Sequence, residues 1–242
     1  MDGRVHHEVL STFARLGRPP SLDELARALA VPHGDAAAAL RRLHDGHGLV
    51  LHPGSAEVWI AHPFSASPTA AWVAAADASA GAAAGPSAAG AGVRGWWAPC
   101  MWCASGVIAL AAPDATIYAR YGGEHEAALI EVRAGAATGA SDEFVVHFAM
   151  PPRDAWHNVV HWCSTVLPFR RAEEVDPWCE RHGLPRGAVV PWAQVLALGR
   201  AWYGRHLDED WRKHTVAEAQ AIFDAVGLTG EFWRLPVSDR PF

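Results

Sequence analysis

The chain has 242 residues, half of them hydrophobic, and its formal net charge is -6. This length and apolar content allow one large domain, or a large and a small one, around a hydrophobic core. The negative charge argues against a nucleic-acid partner, and no stretch supplies the roughly 20 apolar residues of a membrane span. Four unevenly spaced cysteines without a secretory signal do not form a disulfide framework, so we expect a cytoplasmic protein with reduced thiols.

Residues 1–62 form the first predicted unit. Apolar periodicity indicates three helices followed by a hairpin, at 5–16, 22–29, 36–43 and 49–60. Ser21 and Glu24 have the spacing of a capping box for the second helix. This order of elements is typical of a winged helix. The third helix offers only Arg41 and Arg42 as basic residues, so we interpret the unit as a packing module and not as a DNA reader.

Residues 63–94 are predicted to be a linker. Its segment 75–92 consists of Ala, Gly and Ser with Asp77 and Pro86, and it has no large apolar residue. Such a composition buries too little surface to order itself, which indicates a flexible insertion. Two interpretations stay open for it, a lid over a site or a tolerated loop insertion.

Residues 95–242 are predicted to form the core. Alternating apolar residues indicate strands at 115–119, 127–132 and 144–149, and helical spacing indicates helices at 173–181, 191–203 and 215–226. Short adjacent strands with helices outside them favour an α+β fold with a mixed, mainly antiparallel sheet. His206 and His214 are expected to be solvated residues near helix ends.

Two cysteines three residues apart open an apolar run directly after the low-complexity segment. Cys100 and Cys103 are surrounded by Trp96, Trp97 and Trp102. Residues three apart share a face of a helix, and a helix N-terminus favours a thiolate over a thiol. The pair is therefore predicted to be either a redox pair or a clamp for a soft metal.

A third cysteine belongs to a similar environment. Cys163 follows Trp162, with His157 and His161 close by in the sequence, whereas Cys179 lies in a charged, helix-like segment. Three cysteines are therefore candidates for a site, and the fourth is interpreted as structural. The two histidines are four residues apart, and we favour surface or packing roles over metal binding for them.

These segments resemble the alkylmercury lyase family. The pattern Trp-Trp-x-x-Cys-x-Trp that begins at Trp96 and runs into Gly-Val-Ile-Ala is similar to the family's active-site segment. The Trp-Cys-Ser-Thr segment that begins at Trp162 is similar to its second cysteine segment, and residues 190–212 are similar to its closing helices. The resemblance implies a lyase-like core preceded by a helical module that serves the enzyme.

In that family two cysteines and one aspartate carry the chemistry. The resemblance matches Cys100 to the first cysteine and Cys163 to the second, and it places the aspartate at position 103, where this chain has Cys103. The alternative register, which starts from Cys103, would place Gly106 at the aspartate position. The resemblance therefore implies a divergent member that lacks the aspartate in either register. Trp97, Trp102, Trp162 and His161 are expected to line the pocket.

The lead hypothesis is a detoxifying carbon–mercury lyase, in which thiolates capture an organomercurial and a proton is delivered to the carbon. Cys103 would replace the aspartate as a thiol acid, with an unperturbed pKa of about 8.5. The first alternative is a soft-metal-binding protein in which Cys100, Cys103 and Cys163 hold Hg(II) or Cu(I) without turnover. The second is a thiol-dependent enzyme acting on a non-mercurial small metabolite. None of these three hypotheses requires a cofactor. The expected partner is a small organometallic compound or another small molecule, and we expect no nucleic-acid or membrane partner.

Overall fold

The computed structural model describes residues 1–76, 94–139 and 143–237. The α-helices in this part of the chain are α1 (Asp2–Leu16), α2 (Leu22–Leu29), α3 (His33–Asp45), α4 (Met101–Leu110), α5 (Val159–Ser164), α6 (Val175–His182), α7 (Trp192–Tyr203) and α8 (Val216–Ala225). The strands are β1 (Val50–Leu51), β2 (Val58–Ala61), β3 (Phe64–Ser65), β4 (Ala71–Ala75), β5 (Gly95–Ala98), β6 (Ala115–Arg120), β7 (Ala127–Arg133), β8 (Ala136–Ala137), β9 (Val145–Phe148), β10 (Val166–Phe169) and β11 (Ala188–Pro191). The predicted insertion at 75–92 lies outside the described residues except for 75 and 76.

Two antiparallel sheets form the β-structure. The larger has eight strands in the order β1-β2-β3-β5-β4-β6-β7-β8, and the smaller has three strands in the order β10-β9-β11. The predicted hairpin around 122–123 pairs β6 with β7, and buried and exposed side chains alternate along β7 as period-2 patterning requires. The predicted α+β class with a mainly antiparallel sheet is confirmed.

The N-terminal helices and hairpin lie where the sequence predicts them. The Ser21 hydroxyl accepts a hydrogen bond from the Glu24 amide, and the Glu24 carboxylate accepts one from the Ser21 amide, so the predicted capping box is confirmed. α1 docks on the larger sheet, because the Trp96 indole donates to the Phe13 carbonyl at 2.8 Å. Whether the module is a winged helix, and whether the chain divides after residue 62, stay predictions.

The first part of the predicted linker is not a linker in the structure. Residues 64–65 form β3, and residues 71–75 form β4, in which every residue is buried. β4 lies between β5 and β6 and pairs with both of them. A continuous run of small and apolar residues is typical of a strand that is buried on both faces, and the sequence prediction missed it because it sought alternation.

Helix α4, which follows β5, packs against β4, β5 and β10 and most extensively against α7. Close approach of the two helices depends on glycines, since a Cβ added to Gly106 would lie 2.4 Å from the Tyr203 ring. Among the described helices, none is long and apolar enough to cross a bilayer.

Candidate functional site

The first two cysteines lie at the start of α4. Cys100 is the N-cap residue, with extended backbone, and its sulfur accepts a hydrogen bond from the Cys103 amide at 3.4 Å. The two sulfurs are also 3.4 Å apart. The free amides of a helix start favour negative charge, so the local fold supports a thiolate at Cys100.

The third cysteine arrives from a different part of the chain. Cys163 lies in α5, a short helix whose N-cap Asn158 accepts a hydrogen bond from the His161 amide. Its sulfur lies within 4.8 Å of the Cys103 sulfur, and Cys100, Cys103 and Cys163 are all buried free thiols. The structure therefore brings together the three cysteines that the sequence singled out.

A histidine that the sequence analysis did not consider completes the cluster. The Nδ1 atom of His62 lies 3.4 Å from the Cys103 sulfur. One ligand atom each of His62, Cys103 and Cys163 lie within 4.8 Å of one another, which is close enough for a single metal ion. The predicted metal set named Cys100 in place of His62. No motif in the sequence marks His62, because it reaches the site only through the turn between β2 and β3.

The thiols titrate as a coupled group. Burial alone would raise the pKa of Cys100, but hydrogen bonds from Cys103 and Cys163 outweigh it and hold that pKa well below its usual value. Burial and the hydrogen bond to Cys100 raise the pKa of Cys103 well above its usual value. Hydrogen bonds to Cys100 and Cys103, together with burial, raise that of Cys163. These shifts favour a thiolate at Cys100 and protonated thiols at Cys103 and Cys163.

The neighbouring ring groups are uncharged at neutral pH. Burial lowers the pKa of His62 to about 4, so its imidazole is neutral. The Tyr203 hydroxyl lies 3.7 Å from the Cys103 sulfur, and burial, followed by repulsion from the ionised form of Cys103, raises its pKa well above the usual value. A neutral imidazole and a phenol surround the thiols without supplying a competing charge.

A cavity of about 90 Å³ opens onto Cys103 and Cys163. Its walls are aromatic, with Trp102, Trp162 and Trp202 next to the thiols. Trp102 packs edge-on against both of the other two rings, with centroids at 5.8 and 5.1 Å. Cys100 is not among the residues that line the cavity, so its sulfur lies behind that of Cys103. An apolar group that enters this space meets Cys103 and Cys163 first.

Three expectations about site residues need correction. Trp97 does not line the cavity but packs on Trp72, with ring centroids 4.9 Å apart. Consecutive residues of β5 point to opposite faces of the sheet, and the buried neighbour Trp96 takes the inward position. His161 is exposed and lies outside the cavity lining, since α5 buries the adjacent Trp162 and Cys163 instead. His206 is buried, 6% exposed, and lines the cavity, whereas it was expected to be solvated.

Two other predictions about lining residues agree with the geometry. Trp102 and Trp162 both line the cavity. The fourth cysteine lies elsewhere, in a separate cluster around Trp178, where its sulfur is 3.7 Å from the ring of His147. Cys179 therefore provides a buried thiol that is independent of the site.

Three buried thiols and an imidazole beside an aromatic cavity provide the kind of ligands that soft metals prefer. Comparison with protein families identifies the class more closely. Residues 88–204 match the model of the alkylmercury lyase family, MerB.

The fold also resembles that of a solved crystal structure. The crystal structure of the mercury-bound form of MerB2 superposes with a TM-score of 0.61, covering 85% of this chain and 90% of that chain at 18% sequence identity. At this identity the likeness concerns the fold. A comparison with curated proteins found no match.

Proposed function

We propose that this protein captures organomercurials with its thiols and cleaves their carbon–mercury bond by protonolysis. The observation that carries the proposal is the grouping of three buried free thiols whose surroundings lower the pKa of Cys100 and raise those of Cys103 and Cys163. Such a cluster contains both a nucleophile for mercury and a proton for carbon.

Capture is an exchange of ligands at mercury. A thiolate and R–Hg–X give R–Hg–S and the free anion X⁻, with no change in oxidation state. Because the sulfurs of Cys100 and Cys103 are 3.4 Å apart, a proton shift from Cys103 to Cys100 places the thiolate at the cavity wall. The incoming mercury therefore meets the Cys103 thiolate, although the Cys100 sulfur does not reach the cavity.

Cleavage uses a second thiol of the cluster. When its sulfur binds mercury, the coordination number rises and the bond to carbon weakens. The thiol proton goes to carbon together with the carbon–mercury bonding pair, so R–Hg–S and a thiol give R–H and S–Hg–S. The raised pKa of Cys163 keeps its thiol protonated, so a proton remains beside the mercury after Cys103 has bound it. A thiol is a weaker acid than the carboxyl that the family resemblance places at 103, so we expect slower turnover.

The test is release of benzene from phenylmercury by the reduced protein, measured in the headspace. We expect benzene from the wild type and from Cys179→Ser, which changes a buried thiol outside the site. Cys163→Ser should abolish release, and Cys103→Asp should accelerate it. Absence of benzene from the wild type would refute the proposal, and release by Cys103→Asp alone would show that the scaffold is intact but its chemistry differs.

A second candidate is a soft-metal-binding protein that does not turn over. It is favoured by the convergence of His62, Cys103 and Cys163 on one point. In this case native mass spectrometry should show a stable adduct that retains the phenyl group, or uptake of inorganic Hg(II) or Cu(I) alone. His62→Ala should then weaken retention of the inorganic ion. The thiol-dependent enzyme with a non-mercurial substrate and the cytoplasmic location stay predictions.

A further inference from the structure

The mouth of the cavity carries the only lysine of the chain. Lys213, in a sequence with 20 basic Lys and Arg residues, lines the cavity that opens onto the thiols. Its ammonium lies 5.7 Å from the ring centroid of Trp156 and donates to the Gly46 carbonyl at 3.0 Å. An ammonium has three N–H donors, so two more are available for a ligand.

This cation has no acidic counterpart in its surroundings. No residue that lines the cavity is acidic, and no carboxylate among the described residues lies within ion-pair distance of Lys213. Its side chain is partly buried, and a partly desolvated cation without an anion is stabilised by any anionic group that arrives. The electrostatics of the mouth therefore favour a negatively charged ligand.

Two indole groups add neutral donors to the same lining. Trp102, 6% exposed, and Trp211 have buried Nε1 atoms without a hydrogen-bond partner among the described residues. An indole nitrogen can only donate, so both require an acceptor. Both nitrogens are closed to solvent, so they make the lining more polar without being open to a ligand.

The path from the thiols to the lysine is lined by rings. His62 contacts Cys103 on one side and meets the edge of Trp156 on the other, with centroids 5.9 Å apart. Trp156 in turn lies under Lys213. A ligand held by sulfur at one end and by the ammonium at the other would therefore pass along aromatic surface, which suits a planar ring.

We propose that the cavity selects arylmercurials whose ring carries a carboxylate, and that Lys213 binds this carboxylate. The inference rests on the proposed function, since it names the class of substrate for the same thiols. It adds a specificity determinant at the mouth, supplied by the segment that follows α7.

The test compares two mercurials that differ by one carboxylate, 4-(hydroxymercuri)benzoate and phenylmercury hydroxide. Stopped-flow quenching of tryptophan fluorescence gives the rate constant of capture for each, normalised to its rate with free cysteine. We expect the benzoate to be favoured roughly tenfold, the range of a charge-assisted contact at a partly desolvated site. In Lys213→Met the ratio should fall towards one. Arg212→Met removes the adjacent cation, which pairs with Glu218 outside this cavity, and should keep the ratio.

A wild-type ratio near one, or an equal fall in Lys213→Met and Arg212→Met, would overturn the inference. Should Lys213→Met fail to fold, the wild type still decides, because a preference due to charge must decline as salt is raised, and a ratio independent of salt refutes it.

Capture precedes carbon–mercury cleavage, so the two proposals fail separately. A Lys213-dependent preference without benzene release would refute the lyase and leave the inference standing. Benzene release without a preference for the benzoate would support the lyase and refute the inference about Lys213. The disulfide reagents dithiobis(nitrobenzoate) and dithiodipyridine, one with carboxylates and one without, repeat the comparison without mercury and should show the same Lys213 dependence.

Discussion

Substitution of one glycine tests whether the thiol helix is held as tightly as the structure shows. Gly199 lies in α7 and faces α4. A Cβ added there would lie 2.1 Å from the Ser105 hydroxyl oxygen, 2.6 Å from its Cβ and 2.7 Å from its carbonyl carbon. Gly199→Ala therefore cannot be accommodated by a rotamer change alone, and α4 must move away from α7.

The expected effect is a net loss of stability. Overpacking a well-packed interface costs about 1–3 kcal/mol, and replacing a glycine inside a helix by alanine returns up to about 1 kcal/mol. Because the methyl group meets backbone as well as side chain, the cost lies at the upper end, and we expect the free energy of unfolding to fall by about 2 kcal/mol. Urea unfolding followed by tryptophan fluorescence measures it. The capture rate should also change, since the shift separates Cys103 from Tyr203, now 3.7 Å apart.

Gly34→Ala provides the matched control. Gly34 also lies within a helix, α3, but a Cβ there meets nothing within 4 Å. Only the helix propensity remains, so we expect a gain of up to about 1 kcal/mol. Equal stability of the two variants, or a Gly199→Ala protein more stable than the wild type, would show that the packing of α4 on α7 is looser than described.

Two further predictions concern ionisation. Because the pKa of Cys100 is held well below its usual value, this residue should contribute thiolate absorbance in the ultraviolet at neutral pH. Cys100→Ser should remove this absorbance, and Cys179→Ser should retain it. Equal spectra for the two variants would contradict the assignment of the thiolate to Cys100. Burial lowers the pKa of His6 to about 3, below the unfolded value of 6.5, so its share of stability is complete above pH 6.5 and is lost as pH falls towards 3. The slope of the wild-type unfolding free energy should steepen below pH 6.5 towards about 1.4 kcal/mol per pH unit, and His6→Phe should flatten it in urea titrations between pH 6.5 and 5.

The fold was predictable where local signals and tertiary structure agree. The capping box at Ser21 is present as the sequence indicates, and the β6–β7 hairpin follows its alternating pattern. β4 was missed because a strand buried on both faces has no alternation to detect. Its sequence, Ala-Trp-Val-Ala-Ala, also continues without a break into the Ala-rich segment, so composition hid its boundary.

The site was predictable only in its sulfur atoms. Cys100, Cys103 and Cys163 carry recognisable flanking tryptophans, and the structure groups them. His62 and Lys213 have no such context, since they come to the cavity from turns that precede β3 and α8. Tertiary contacts between segments distant in sequence leave no periodic pattern, so residues of this kind are found only after the chain is folded.

The N-terminal module has a structural reason to lack a basic recognition face. It supplies part of the cavity lining: His6 from α1, His47 from the turn after α3, and His62 after β2. His6 stacks on Trp211 at 3.4 Å, so the first helix and the segment after α7 close the cavity against each other. Of the two arginines in α3, Arg42 is paired with Asp2 of α1. A module whose side chains hold a wall of the cavity and whose charges pair internally is suited to shaping the thiol site, and its separation from the core would remove a side of that site.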